Sequence, residues 1–360
     1  MPLACAVLSL VALAAAAPSA RASPPLSPAA LGRIDAHTHF FAEQKPVLDL
    51  LERLSVTAVN ICVVDRYDPG FETAPPQHAM ARRLAQVSRG RMPWVATFDD
   101  SGFAEPGFAA RVLADVDRAL AEGAIGVKVY KSLGMELRHA GGAYLLPDDP
   151  LLAPVFAGLA ERGATVYAHI AEPIAAWQAL DPSSPDYVYY EKKPPWYVYG
   201  RPDVPSKERI LAARDRVLET HPTLRVVGCH LGSMEEDVDD IARRLDRYPN
   251  FAVDTAARIV HLMLQPREKV RAFFLRYPDR VLYGTDLGIM PGQDPQKVAR
   301  RLEADYARDW SYFATDATLE VRGRQVRGLA LPEEVLRRLF RDNALRWVPG
   351  IVVTGATGRR

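Results

Sequence analysis

The chain has 360 residues, of which 48% are hydrophobic and 25% charged. That mixture suits two small domains or one large one, and it excludes a disordered chain or a multi-span membrane protein. With 45 Lys and Arg against 44 Asp and Glu the formal charge is +1, so no field for nucleic acid or an anionic membrane is expected.

Residues 3–17 form an apolar run rich in Ala, Leu and Val, followed by Ala20-Arg21-Ala22 before Ser23. The run is too short to span a bilayer and ends in a small-x-small pattern, so residues 1–22 read as a secretory signal peptide. Met1-Pro2 supplies no basic residue ahead of it. The expectation is a secreted or periplasmic protein with no membrane attachment after signal cleavage. Cys5 would leave with the leader, and Cys62 and Cys229 read as two buried thiols. A linker over 23–32, one domain over 33–348 and a tail over 349–360 complete the division.

Past the linker, short β-branched runs alternate with stretches of helical period. The strand candidates in chain order are 33–39, 57–64, 93–98, 125–130, 165–169, 225–230, 251–254 and 281–286. Helices are expected at 77–88, 108–122, 151–162, 207–220, 234–247 and 267–277, and after the last strand at 295–313 and 333–347. Ser233-x-x-Glu236 reads as a capping box, and Gly123 and Gly163 stand where helices should stop. The fold class is therefore α/β: a single (β/α)8 TIM barrel, with a long loop after the fifth strand and extra C-terminal helices. A doubly wound nucleotide-binding sheet would want glycines after the first strand, and here the chain reads His37-Thr38-His39-Phe40-Phe41.

In such a barrel the reactive groups stand at the C-terminal ends of strands. The first run ends Asp35-Ala36-His37-Thr38-His39; residues two apart share a face, so His37 and His39 both point inward. The fifth run ends in His169, the sixth in His230 and the eighth in Asp286. Four of the eight histidines thus fall at strand ends together with a carboxylate. Imidazoles with one carboxylate are the ligand set of a divalent metal, with Zn²⁺ the expected ion and one position open to water. His78, His139, His221 and His261 fall elsewhere and read as surface or packing residues. Counting from Gly126, Lys128 and Tyr130 share the inward face. On the residues alone Lys128 could be an ammonium that holds a substrate carboxylate or a structural ion-pair partner. The loop between His169 and residue 207 carries Tyr187, Tyr189, Tyr190, Trp196, Tyr197 and Tyr199 among prolines, as a lid or substrate wall would. Tyr130, Glu172, Trp196 and Arg258 are the candidate substrate contacts, and Asp35 is a candidate partner for a ligating imidazole.

The ordered set Asp35-Ala36-His37-Thr38-His39, Gly126-Val127-Lys128, His169 with Glu172-Pro173, His230-Leu231-Gly232, Gly284-Thr285-Asp286 and Asn343-Ala344 resembles the amidohydrolase superfamily. Within it the chain is most similar to the amidohydrolase-related group that also holds metal-dependent carboxy-lyases, from about residue 33 to 348. The resemblance implies His37, His39, His169 and Asp286 as metal ligands, with His230 beside the water. Asp286, His230 and Lys128 would be the catalytic groups. In binuclear members the lysine is carbamylated and a second ion is bound. The implied activity is a metal-dependent hydrolase attacking an amide, ester or lactone carbonyl with metal-activated water. The alternative is a decarboxylase acting on a small carboxylated ring. A barrel that had lost turnover predicts a damaged ligand set, and here every expected ligand is present. The expected partner is a small-molecule substrate, with no nucleic acid, and a homo-oligomer stays open.

Overall fold

The computed structural model describes residues 26–353; the leader expected over 1–22 and the end of the expected tail lie outside them. Strands β1 (Ile34–Phe40), β2 (Thr57–Ile61), β3 (Trp94–Thr97), β4 (Ala124–Val129), β5 (Thr165–Ala168), β6 (Arg225–Gly228), β7 (Phe251–Asp254), β8 (Val281–Leu282) and β9 (Leu287–Ile289) form one sheet in the order β8-β7-β6-β5-β4-β3-β2-β1-β9. Every neighbouring pair is parallel. The two edge strands are consecutive in the chain, and the residues between them also bond to β1. Ala36 N donates to Tyr283 O and Asp286 N to His37 O, each at 2.8 Å. The sheet is therefore curled on itself. Of the eighth expected run, 281–286, only Val281–Leu282 is strand; Asp286, at φ 64°, leaves the extended region, and β9 follows it.

The strands are buried almost throughout, as parallel strands covered on both faces must be. Val127 and Val129 of β4 join the outer core with Val112 and Val116 of the helix Phe108–Ala121, whose buried positions recur at helical spacing. Each such fully buried side chain contributes roughly 1.5–3 kcal/mol. A second cluster collects Val59, Val95, Tyr167, Val227, Ala252 and Leu282 with Trp347, Val348 and Ile351. Tyr167 lies two residues before His169 and Val227 two before Cys229, so this cluster shares the face that carries the site residues. Asn343 donates from Nδ2 to Pro278 O and Val281 O at 2.8 and 2.7 Å, and Trp347 from Nε1 to Asp279 O at 2.8 Å. The last helix is thereby tied to the entry of β8.

Most helices lie where the periodicity puts them, and Gly123 and Gly163 do stop theirs with φ of 98° and 62°. Three local readings need correction. Ser233 does not cap a helix. It sits at φ 58° and donates its hydroxyl to Ala171 O at 3.0 Å, while the helix Val238–Arg247 is capped by Asp237. The stretch 333–347 is not one helix but Glu333–Arg337, a π-helical Arg338–Asp342 and Asn343–Trp347. Between the two C-terminal helical stretches lies an antiparallel hairpin, β10 (Thr318–Val321) and β11 (Arg324–Arg327). Its two-residue turn Arg322-Gly323 has φ of 50° and 74°, as a type I′ turn requires.

Candidate metal centre and adjoining cavity

β1 and the β8–β9 break bring three groups together. His37 Nε2 and His39 Nε2 are 3.2 Å apart, and Asp286 Oδ1 lies 3.4 and 3.3 Å from them. The other ring nitrogens are already engaged: His37 Nδ1 with Asp254 Oδ2 at 2.7 Å and His39 Nδ1 with Ile61 O at 2.7 Å. Both partners are acceptors, so each Nδ1 carries the proton and each Nε2 presents a lone pair. Two lone pairs and a carboxylate oxygen facing one another repel unless a cation lies among them. Ligands about 2.0–2.2 Å from one ion stand roughly 3.0–3.5 Å apart, which is the separation seen. The donor set fits a divalent metal.

Asp254, at the end of β7, is the residue sequence reasoning missed. It is fully buried, accepts a hydrogen bond from His37 Nδ1 through Oδ2, and accepts His230 N at 2.7 Å and Ala256 N at 3.1 Å through Oδ1. It holds one imidazole in its tautomer and anchors the turn that carries another. Asp35, by contrast, accepts from Thr285 N and Oγ1, Tyr306 Oη and His37 N at 3.0, 2.6, 3.0 and 3.2 Å. It braces the backbone before Asp286 and touches no imidazole ring, contrary to expectation. Burial pushes its carboxyl up to about 7, against these four donors.

His230 Nδ1 faces Ala256 O at 3.0 Å, and its ring centroid is 4.9 Å from His37 and 4.3 Å from His169. Burial pulls the His230 imidazole down to about 3 and holds His169 well below its ordinary value, so both are neutral. Among the described residues His169 Nε2 is buried with no hydrogen-bond partner, and His169 is outside the two groups of donor atoms that converge within 4.8 Å there, His37/His39/Asp286 and His37/His230/Asp254. The Asp286 carboxyl lies well below the carboxylate range despite its burial. Lys128 is buried, with Nζ 3.1 Å from Cys229 Sγ and 3.5 Å from His37 Nε2. Cys62 and Cys229 are buried free thiols.

A cavity of about 330 Å³ opens against His169, His230 and Asp286, with Glu172, Tyr189 and Arg258 also in its wall. Lys128, Tyr130 and Trp196 are not lining residues. Tyr130 Oη and Trp196 Nε1 instead donate to Asp65 Oδ2 at 2.9 and 3.3 Å, with the Tyr130 ring edge-on to His169. Glu172 is committed to a buried pair with Lys131 and accepts Tyr190 Oη at 3.0 Å. Of the aromatic residues in the loop after β5, Tyr189 lines the cavity and Tyr190 and Trp196 are buried. His261, read as a packing residue, also lines the cavity and pairs with Asp186 at 3.1 Å.

A family model described as Amidohydrolase matches residues 34–350, and no curated protein matches the chain. Among solved structures, one described as an amidohydrolase II is 19% identical with a TM-score of 0.51, covering 88% of this chain and 99% of its own. A 2,6-dihydroxybenzoate decarboxylase complexed with 2,6-dihydroxybenzoate is 14% identical with a TM-score of 0.50, over 88% and 99%. An uncharacterized TIM-barrel protein from Bordetella bronchiseptica is 15% identical with a TM-score of 0.49, over 89% and 99%. At these identities the likeness concerns the fold.

Proposed function

The chain belongs to the amidohydrolase family, and from that premise we propose that it is a metal-dependent hydrolase that opens an amide, ester or lactone carbonyl of a small molecule with water. The observation that carries this reading is the convergence of His37 Nε2, His39 Nε2 and Asp286 Oδ1 at 3.2–3.4 Å beside a cavity of substrate size. His37, His39, Asp286 and His169 would hold one divalent ion, Zn²⁺ being the expected one. When bound, it supplies positive charge that polarises a carbonyl and acidifies water.

The chain's own groups divide the rest of the work. Asp286, held as a carboxylate, takes a proton from the attacking water and returns it to the leaving group. Neutral His230, with its proton on the Ala256 side, has only a lone pair at Nε2 and orients the water by accepting its O–H. Lys128 has no carboxylate within ion-pair distance among the described residues; beside one ion it would serve as an ammonium, and with two ions it would, once carbamylated, help to hold them. The architecture we propose is a closed (β/α)8 barrel in which β8 and β9 are one strand interrupted at Asp286. We place the protein in a secreted or periplasmic setting on the strength of residues 1–22.

Metal content of the purified protein, with turnover of a lactone, ester and amide panel by wild type and Asp286→Asn, tests the reaction. The expectation is one or two divalent ions and a loss of about 10²–10⁴-fold in the variant. Absence of bound metal, an unaffected variant, or CO₂ release from aromatic acids in place of hydrolysis would overturn it.

A further inference from the structure

Two aromatic residues expected to touch substrate instead meet at one buried carboxylate. Asp65, in the loop after β2, is 7% exposed. Its Oδ1 accepts Tyr67 N at 2.9 Å, and its Oδ2 accepts both Tyr130 Oη at 2.9 Å and Trp196 Nε1 at 3.3 Å. Tyr130 follows β4 directly, whereas Trp196 belongs to the loop after β5, so one oxygen joins the barrel to that loop. The two rings also meet edge to face, with centroids 5.7 Å apart, and the buried Lys131 ammonium lies 4.3 Å from the Trp196 ring centre. The Tyr130 ring in turn packs at 87° against His169, with centroids 5.3 Å apart.

His37 and His39 are each oriented by a hydrogen bond at Nδ1. His169 Nε2 has no such partner among the described residues, and its imidazole is flanked by the Tyr130 and His230 rings. A tyrosine held at its hydroxyl presents its ring in one place. The geometry points to Asp65 as a positioning residue: by pinning Tyr130 it sets the imidazole of the fourth proposed ligand, and by holding Trp196 on the same oxygen it couples that imidazole to the loop after β5. This assignment rests on the proposed ligand set, and it adds a means by which the cavity wall and the metal centre act together. Tyr189 of the same loop lines the cavity, so a substrate that orders the loop also secures His169. Such coupling is reciprocal: bound metal must steady the loop by the same factor by which the anchored loop tightens metal.

The test uses the full chain, Zn²⁺ competition against a chromophoric chelator, and the rate of trypsin cleavage after Lys192, an exposed residue of the loop, with and without Zn²⁺. Tyr130→Phe keeps the ring and cuts its bond to Asp65, and Trp196→Phe cuts the loop's bond alone. Tyr130→Phe is expected to weaken Zn²⁺ binding about tenfold and Trp196→Phe about threefold. The double variant should lose less than the product of the two, since both bonds end on one oxygen. Zn²⁺ should slow cleavage of wild type about threefold, matching the Trp196→Phe effect, and leave Tyr130→Phe unprotected. Tyr197→Phe, which removes a loop hydroxyl bonded to Gln178 O at 2.8 Å, is the control and should match wild type in both readings. A merely structural role would lower the melting temperatures of the variants and leave Zn²⁺ affinity unchanged. That result overturns the assignment, as does wild-type cleavage indifferent to bound Zn²⁺. Should Tyr130→Phe fail to fold by circular dichroism, wild-type affinity in Trp196→Phe overturns it alone. No turnover is read, so a failure of hydrolysis on the substrate panel would refute the reaction and leave this result standing, while a wild type that takes up no Zn²⁺ refutes the metal centre and the coupling together.

Discussion

Asp254→Asn should weaken metal binding about 10–100-fold without touching a proposed ligand. The amide keeps the size of the side chain and an oxygen able to accept His230 N and Ala256 N, now 2.7 and 3.1 Å away. Its NH₂ then faces His37 Nδ1, where a carboxylate oxygen stood at 2.7 Å. A donor opposite a donor is untenable, so His37 must shift its proton to Nε2, the nitrogen that faces His39 and Asp286. One lone pair leaves the cluster. Changes of this kind around ligating histidines cost about 10–100-fold, or roughly 1.4–2.8 kcal/mol. Asp309→Asn is the control. It is an equally buried carboxylate that serves Tyr283 Oη at 2.9 Å and Arg308, and it has no imidazole partner. Competition for Zn²⁺ against a chromophoric chelator measures both. Asp254→Asn holding metal within threefold of wild type, with fold retained, would refute the tautomer argument.

Gly284→Ala should be as damaging from the opposite side, because a Cβ there would stand 2.9 Å from His37 Cβ and 3.5 Å from Ala256 Cβ. Thermal melts should show a loss of about 1–3 kcal/mol together with weaker metal binding, and a variant with native affinity would mean the turn yields easily. Lys131→Met strands the buried Glu172 carboxylate and should cost about 3–5 kcal/mol. Lys131→Met with Glu172→Gln should recover most of it in urea titrations, and a double variant no better than the single would exclude a direct pair. For pH, His230 has its imidazole lowered from 6.5 to about 3 by burial. The unfolded chain therefore binds a proton that the fold refuses, and stability is lost as pH falls from 6.5 towards 3. At pH 5 this group alone accounts for about 2 kcal/mol. Metal-free wild type should lose stability between pH 7 and 5, and His230→Gln should flatten the slope; equal slopes would show that His230 does not stay neutral.

The residues of the metal centre are legible because they obey one simple rule, a polar residue closing an apolar strand run. Asp254 closes Phe251-Ala252-Val253 in just that way, so the same signal marks it. Residues such as Asp65, Lys131, Asp186 and His261 follow no such rule. They come from loops and helix ends, and their roles arise from tertiary pairings such as Tyr130 to Asp65 and Lys131 to Glu172 that no local spacing encodes. The hairpin went unread for a related reason. Its strands are four residues each and mostly exposed, so they lack the apolar period that marks a buried strand, and only the Arg322-Gly323 turn signals them.

The Ser233 misreading has a deeper cause, and it concerns where the fold departs from local preference. Non-glycine residues with left-handed backbone stand just past four consecutive strands: Ala171 after β5, His230 and Leu231 after β6, Ala257 after β7 and Asp286 after β8. Each such residue costs roughly 1–2 kcal/mol, and local propensity argues against all of them. The structure holds them by bonds made to the site itself: His230 N to Asp254, Asp286 N to His37 O, Ala257 N to Thr285 O, and the Ser233 hydroxyl to Ala171 O. A serine recruited to fix one such turn is not free to cap a helix, although the sequence around it has the capping pattern. The strained positions and the chemically active ones therefore coincide along this rim, because only tertiary bonds to neighbouring site residues can hold a backbone that its own residue disfavours. Relieving the strain at Asp286 or His230 would then displace a site group.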